Sequence, residues 1–269
     1  MSQDQAKPAR LLEGKRALIT GARKGIGRGI ALTLAREGAH VGINDIVDDE
    51  VTQNTRKLIE AMGVRSSVHE GDVSQLDGIE SVVDGFVKTQ GGIDILVNNA
   101  IFPDQSCPLF DTDEAYWDRM MNLSLKGYFF AAQRAARHMV DAGSGGRIVC
   151  LSSVHAYDAW KNWTAYGVAK AGLRRMVKGL AVDLHGTGVT ANCIAPGAIA
   201  NALPDDGSSV NGAPIDMESA GDFMERVPTQ RGGLPTDIAN AVLYLTSDMG
   251  SYVNGETILV DGGLIAAAE

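Results

Sequence analysis

Residues 17–27 read Ala17-Leu18-Ile19-Thr20-Gly21-Ala22-Arg23-Lys24-Gly25-Ile26-Gly27 and run into the helical pattern Arg28–Arg36. The short apolar run ending in Thr20 suits a buried strand, and the glycines after it mark a tight turn. A strand, a glycine turn and a helix start gather several backbone N–H groups around one point, which is how a pyrophosphate is held. Glycine also lets the backbone approach the phosphates without a Cβ in the way. The spacing is Gly-x-x-x-Gly-x-Gly rather than Gly-x-Gly-x-x-Gly. By itself it fits a structural turn as well as a dinucleotide site.

Working outward, short β-branched runs alternate with longer helical stretches, which implies βαβ units and a parallel sheet. The expected strands are Arg16–Thr20, Val41–Asp45, Arg65–Gly71, Ile93–Asn98, Arg147–Ser152, Thr190–Ile194 and Thr257–Val260. One helix is expected to begin near Asp111, where Asp111 and Glu114 have capping-box spacing, and to reach about Met139 with Asn122 inside it. Another carries Tyr166 and Lys170 towards Leu184, and a third runs from Pro235 to about Ser247. No repeat or linker divides the chain, so residues 1–269 are read as a single domain, with 1–11 as a flexible tail. The stretch 198–217, rich in Gly, Pro, Asp, Asn and Ser, reads as a substrate loop or lid, or as a surface insertion.

Composition narrows the function classes. The chain has 269 residues, 45% hydrophobic and 21% charged, which fits a soluble globular enzyme. Its net charge of −9 argues against nucleic acid as a partner. The polar start lacks the apolar stretch of a signal peptide, and no run is long enough to suggest a membrane span. Cys107, Cys150 and Cys193 are odd in number and show no metal-ligand spacing, so no metal is expected. The expectation is a cytoplasmic protein.

The second strand ends at Asp45, eighteen residues beyond Gly27. An acidic residue there hydrogen-bonds a ribose 2′-hydroxyl and repels a 2′-phosphate, which favours NAD over NADP. Arg23 and Lys24 argue the other way, because cations beside the turn can hold the extra phosphate. Two like charges at Asp45 make that phosphate costly, and NAD is the expectation.

Farther along, Ser153 stands thirteen residues before Tyr166-Gly167-Val168-Ala169-Lys170. Positions four apart share a helix face, so Tyr166 and Lys170 can point at one spot. An ammonium beside a phenol lowers a pKa that starts near about 10, which makes a tyrosine usable as an acid and base. Alone, Tyr-x-x-x-Lys is more often an ordinary exposed pair.

Taken together, these motifs resemble the short-chain dehydrogenase/reductase family from about Leu12 to Leu264. The match runs through Thr20-Gly21-x-x-x-Gly25-Ile26-Gly27, Gly71-Asp72-Val73, Asn98-Asn99-Ala100, Asn122, Ser152-Ser153, Tyr166-x-x-x-Lys170, Pro196-Gly197 and Asp261-Gly262-Gly263. The resemblance implies a Rossmann-like, doubly wound sheet of about seven parallel strands flanked by helices. It implies Tyr166 as general acid/base, Lys170 on the nicotinamide ribose, Ser153 on the substrate oxygen, and Asn122 interrupting its helix to hold a relay water. Cofactor contacts would come from Gly21, Arg23, Gly25, Ile26, Gly27, Asp45, Ile46, Asp72, Val73, Asn99, Ala100, Pro196, Gly197 and Ile199, with Asn98 bracing the sheet. Two departures stand out: Ile101 replaces the family glycine, and Asn201 replaces a threonine that contacts the nicotinamide amide.

The expected reaction is reversible oxidation of a secondary alcohol to a ketone by NAD. Candidate substrate residues are Phe102, Ser153, His155, Tyr157 and Trp160, and Ser-Ser-Val-His in sugar-oxidising relatives points towards a polyol, sugar or cyclic alcohol. Asp205, Asp206 and Asp216 in the loop weigh against a polyphosphate carrier. The alternatives are a 3-hydroxyacyl or 3-oxoacyl thioester reductase using NADP, isomerase or dehydratase chemistry, and a non-catalytic NAD-binding module. The presence of Tyr166, Lys170, Ser153 and Asn122 weighs against the last. A homotetramer is what the family implies.

Overall fold

The computed structural model describes residues 10–199 and 226–267. The seven expected strands all form, each within two residues of its expected ends: β1 Arg16–Thr20, β2 His40–Asp45, β3 Ser66–Glu70, β4 Ile95–Asn98, β5 Gly146–Leu151, β6 Val189–Pro196 and β7 Thr257–Val260. They make one sheet in the order β3-β2-β1-β4-β5-β6-β7, and every pairing is parallel. The inner strands are buried along almost their whole length, whereas β3 and β7 at the edges are half-buried. Burial on both faces explains why the inner strands read as apolar runs without alternation.

Among the described residues, seven α-helices complete the two outer layers: α1 Gly25–Arg36, α2 Glu50–Glu60, α3 Leu76–Gln90, α4 Glu114–Met121, α5 Tyr128–Ala142, α6 Thr164–Asp183 and α7 Pro235–Thr246. Ile30, Leu34, Ile59, Ile238 and Val242 from α1, α2 and α7 bury one sheet face. Val82, Phe86, Tyr128, Ala132, Leu173 and Val177 from α3, α5 and α6 bury the other. This is the doubly wound α/β arrangement. The strand order reverses between β1 and β4, and such folds bind ligands outside the carboxyl ends of strands at that point.

One helix start differs from expectation. Asp111 lies in a 3₁₀ turn, Leu109–Asp111, and the N-cap of α4 is Asp113, whose carboxylate accepts from Tyr116 N at 2.7 Å. Pro108 O captures the Asp111 and Thr112 amides, so the chain cannot open a helix until Asp113. Residues 1–9, and with them most of the expected tail, lie outside the described residues, as does most of the 198–217 loop with Asn201, Asp205, Asp206 and Asp216. None of the described helices is long and apolar enough to cross a membrane.

Candidate active site

At the carboxyl end of β1 the chain turns through Gly21 at φ +63° and Gly25 at φ +60°, left-handed values that disfavour a side chain. Gly27 is constrained differently: a Cβ there would strike Gly21 O and lie 2.5 Å from Asn99 Nδ2. Asn99 donates to Thr20 O and Gly21 O, both at 2.9 Å, while Thr20 Oγ1 accepts from the Asn99 and Ala100 amides. Helix α1 opens at Gly25 with no side-chain cap on its first amides. Free first-turn N–H groups beside a glycine turn fit a pyrophosphate.

Asp45 closes β2 on the same rim. Burial pushes its carboxyl up, partly offset by N–H groups of Ile46 (2.9 Å) and Arg23. The Arg23 guanidinium also lowers the Asp45 carboxyl through its charge, while donating through Nε to the Asp49 carboxylate at 3.0 and 3.1 Å. Asp49 also caps α2 through Val51 N and Thr52 N. Ile46 is exposed beside Asp45. At the end of β3, Asp72 accepts from Ser74 N and Val73 is buried. Asn44 stitches this corner, donating to His69 O at 2.9 Å and Gly71 O at 3.0 Å. On the far side Gly197 N donates to Val260 O and Ile199 bridges to Gly233.

The polar cluster lies beyond β5. Ser153 follows the strand in extended backbone, and its side chain lies close enough to the Tyr166 phenol to favour the phenolate. Both side chains are buried, with relative exposures of 6% and 7%. Burial pushes the Tyr166 phenol up to about 12, against the lowering effect of Ser153. Lys170, one turn on, is fully buried and donates from Nζ to Leu151 O at 2.7 Å. Its Nζ stands 4.9 Å from the Tyr128 ring centre and 5.6 Å from that of Tyr166. Burial pulls Lys170 down to about 8. Burial, rather than the lysine, therefore sets the resting pKa of the phenol.

Supporting bonds hold this cluster to the sheet. Ser152 Oγ donates to Lys170 O at 2.9 Å, and Asn98 Nδ2 donates to Tyr128 O at 3.0 Å. Tyr128 Oη donates to Ala100 O, linking α5 to the glycine-turn side. Asn122 opens a π-helical segment, Asn122–Gly127, that separates α4 from α5. Such bulges shift backbone groups out of helical register, often at functional sites.

His155 Nδ1 lies 3.1 Å from Ser153 Oγ, and its ring stacks against Trp163 at 4.2 Å and Trp160 at 4.6 Å. Phe102 meets Tyr116 edge-on and packs on the small apolar cluster that includes Tyr166. Tyr157 does not join this group: it lies under the Arg174 guanidinium at 3.6 Å and reaches towards Thr257 O. Its backbone leaves the 3₁₀ turn Val154–Ala156 towards the β7 edge.

A family model described as enoyl-(acyl carrier protein) reductase matches residues 21–265. Over 256 residues the chain is 35% identical to 2-dehydro-3-deoxy-D-gluconate 5-dehydrogenase of Escherichia coli (strain K12), covering 95% of this chain and 97% of that one. It is 36% identical over 259 residues to L-rhamnose 1-dehydrogenase (NAD(P)(+)) of Sphingomonas sp. (strain SKA58), covering 95% and 98%. A solved structure from Sinorhizobium meliloti 1021, assigned as a short-chain alcohol dehydrogenase, superposes with a TM-score of 0.87 at 38% identity, covering 96% and 99%. The chain belongs to the short-chain dehydrogenase/reductase family.

As a short-chain dehydrogenase/reductase it is an oxidoreductase acting between alcohols and carbonyls. Several residues of this short-chain dehydrogenase/reductase escape a sequence reading. Asn44 and Asp49 shape the rim beside the glycine turn, through bonds to His69 O and to Arg23. Asp49 was in principle legible, because an Asp before Glu50-Val51-Thr52 is a helix-cap signal. Asn44 is legible only once β2 and β3 are adjacent. Ile101 is 46% exposed, so the residue replacing the family glycine faces outward at the rim.

Proposed function

We propose that the protein is an NAD-linked dehydrogenase of a secondary alcohol of the polyol or sugar type. The observation that carries this is the buried group of Ser153, Tyr166 and Lys170 at the carboxyl edge of the sheet, with Ser153 acting to lower the phenol's pKa. The free α1 amides, Gly21, Gly25, Ile26 and Gly27 would hold a pyrophosphate, and Asp45 a ribose hydroxyl. Asp72, Val73, Asn99, Ala100, Pro196, Gly197 and Ile199 would line the rest of the cofactor site. NAD, when bound, supplies the hydride acceptor.

In alcohol oxidation Tyr166 takes the hydroxyl proton while Ser153 donates to the same oxygen and stabilises its developing charge. Lys170 sits behind the phenol and would bind ribose hydroxyls, and Asn122 would hold a water in the relay to solvent. Phe102, His155 and Trp160 would border the substrate. Support for NAD comes from Arg23 being engaged by Asp49 while Asp45 stays on the rim. Support for a sugar-type alcohol comes from the two curated relatives, both dehydrogenases of sugars or sugar acids by name.

The description of the matching family favours one second reading, reduction of an acyl-carrier thioester with NADP. Reduced-nicotinamide absorbance, followed with polyols, sugars, other secondary alcohols and acyl thioesters against NAD and NADP separately, tests both. Turnover of a sugar or polyol with NAD is expected. Turnover restricted to thioesters, or a clear NADP preference, would replace this reading with the second. Tyr166→Phe removes only the hydroxyl and is expected to abolish turnover while NADH still binds; retention of more than a few per cent of the rate would refute the role of Tyr166.

Self-association fits the apolar side chains exposed on α5 and α6, Phe129, Val140, Val168 and Val182. Light scattering of the purified protein is expected to give a homotetramer mass, and a monomer would remove this part of the reading.

A further inference from the structure

Ser153 and His155 meet twice. The His155 backbone N–H donates to Ser153 Oγ at 3.3 Å, and ring Nδ1 approaches the same oxygen at 3.1 Å. A serine hydroxyl has one proton to give and two lone pairs with which to accept. The backbone donation uses one lone pair. What the ring does with the other decides what Ser153 can offer a substrate.

If His155 carries its proton on Nε2, Nδ1 is an acceptor and takes the only hydroxyl proton of Ser153. The serine could then accept from Tyr166 but could not donate to a substrate oxygen. With the proton on Nδ1 instead, both acceptor positions of Oγ are filled. The hydroxyl proton then has one remaining direction, towards Tyr166 or the substrate oxygen. We infer that His155 is a positioning residue that donates through Nδ1–H and so makes Ser153 a one-way donor.

The surroundings of the ring fix which nitrogen faces Ser153. Trp163 lies 4.2 Å away tilted by 34°, Trp160 lies 4.6 Å away tilted by 51°, and Tyr166 meets the ring edge-on at 5.3 Å. Clamped on three sides, the imidazole cannot easily turn over to present Nε2. Burial also keeps it neutral, pulling its pKa down to about 4 despite the opposing influence of Asp158. A neutral ring has one proton to place, and its placement is a two-state choice. Among the described residues, the titratable or charged groups around it are Asp158 from its own loop and Tyr166 from α6, with Lys170 behind the Tyr166 ring.

The consequence reaches the acid/base itself. A serine obliged to donate lowers the pKa of the phenol it faces, and Ser153 has that effect on Tyr166. His155 therefore favours the Tyr166 phenolate by acting through Ser153. This role rests on the proposed Ser153–Tyr166 chemistry, but the tautomer can be read without any turnover.

Nitrogen NMR of protein labelled with ¹⁵N-histidine, with the His155 signals assigned by their loss in His155→Asn, reports which ring nitrogen carries the proton. Protonated Nδ1 with bare Nε2 is expected near neutral pH, and the reverse tautomer overturns the inference. The pH profile of kcat/KM for alcohol oxidation supplies the second readout. His155→Leu is expected to raise the apparent pKa of the essential base and lower the neutral-pH rate about tenfold. His155→Asn, whose amide N–H can replace Nδ1–H, is expected to restore most of both. A leucine variant with the wild-type profile, or an asparagine variant as impaired as leucine, also overturns it. Turnover surviving in Tyr166→Phe would instead bring down the catalytic reading, and would leave the measured tautomer as it stands.

Discussion

Lys170 Nζ donates to the carbonyl oxygen of Leu151 across 2.7 Å, which ties the lysine to the end of β5 rather than to the Tyr166 hydroxyl. An ammonium fully buried with one carbonyl acceptor and two ring faces nearby is incompletely compensated, and its pKa falls from 10.5 to about 8. Between those values the unfolded chain binds more protons than the folded one, so this group's contribution to stability rises with pH from about 8 to 10.5. Below that window the penalty is constant and at its largest.

Lys170→Met is therefore expected to abolish turnover yet raise stability at pH 7 by on the order of 2–3 kcal/mol. The advantage should shrink as pH climbs towards 10. Urea denaturation of both proteins at several pH values measures it. A variant less stable than wild type at pH 7 would show that the Leu151 bond outweighs the cost of the buried charge.

The proposed NAD preference rests in part on a pair brought together from the start of α2 and the glycine turn. Asp49 binds the Arg23 guanidinium, whose charge also reaches Asp45. Asp49→Asn keeps a good helix cap but weakens that hold. The ratio of kcat/KM for NAD over NADP is expected to fall about tenfold, a change typical of one charge contact in a specificity site. An unchanged ratio would show that Arg23 plays no part in cofactor choice.

Gly27→Ala places a methyl group against Gly21 O and Asn99 Nδ2. The backbone on one side and a side chain already bonded to Thr20 O and Gly21 O on the other leave it little room. Overpacking of this kind costs about 1–3 kcal/mol. The variant should melt earlier and lose NADH fluorescence enhancement together. Normal NADH binding in a destabilised variant would separate the turn's packing role from its phosphate role.

A phenol resting at about 12 is protonated at neutral pH, which suits ketone reduction and opposes alcohol oxidation. Alcohol oxidation is expected to speed up with rising pH through the alkaline range, and ketone reduction to slow. Initial rates in both directions between pH 6 and 10 check this. An oxidation rate that is flat or falling from neutral pH upward would mean that bound cofactor, rather than burial, governs the phenol.

Much of the architecture was legible before any coordinates. Each inner strand is an apolar run because it is buried on both faces, and Gly21, Gly25 and Gly27 announce the turn because no other residue suits their backbone or packing. Asp113 displaced the expected Asp111 cap for a local reason, the capture of two amides by Pro108 O, which spacing alone does not reveal. Tyr157 reads as a pocket residue beside His155 but packs under Arg174, because it caps the 3₁₀ turn that contains His155.

The sequence by itself determined the βαβ order, the glycine turn, and the presence of Ser153, Tyr166 and Lys170, because these are written in spacings of a few residues. Only the tertiary structure decided where Arg23 places its charge, that Lys170 faces Leu151, and that Trp160 and Trp163 clamp His155. The first two join residues 26 and 19 positions apart. The clamp closes within one loop, but its ring packing depends on how that loop settles on α6. The pKa values follow from burial, which no window of sequence contains, since it is the sum of everything packed around a group.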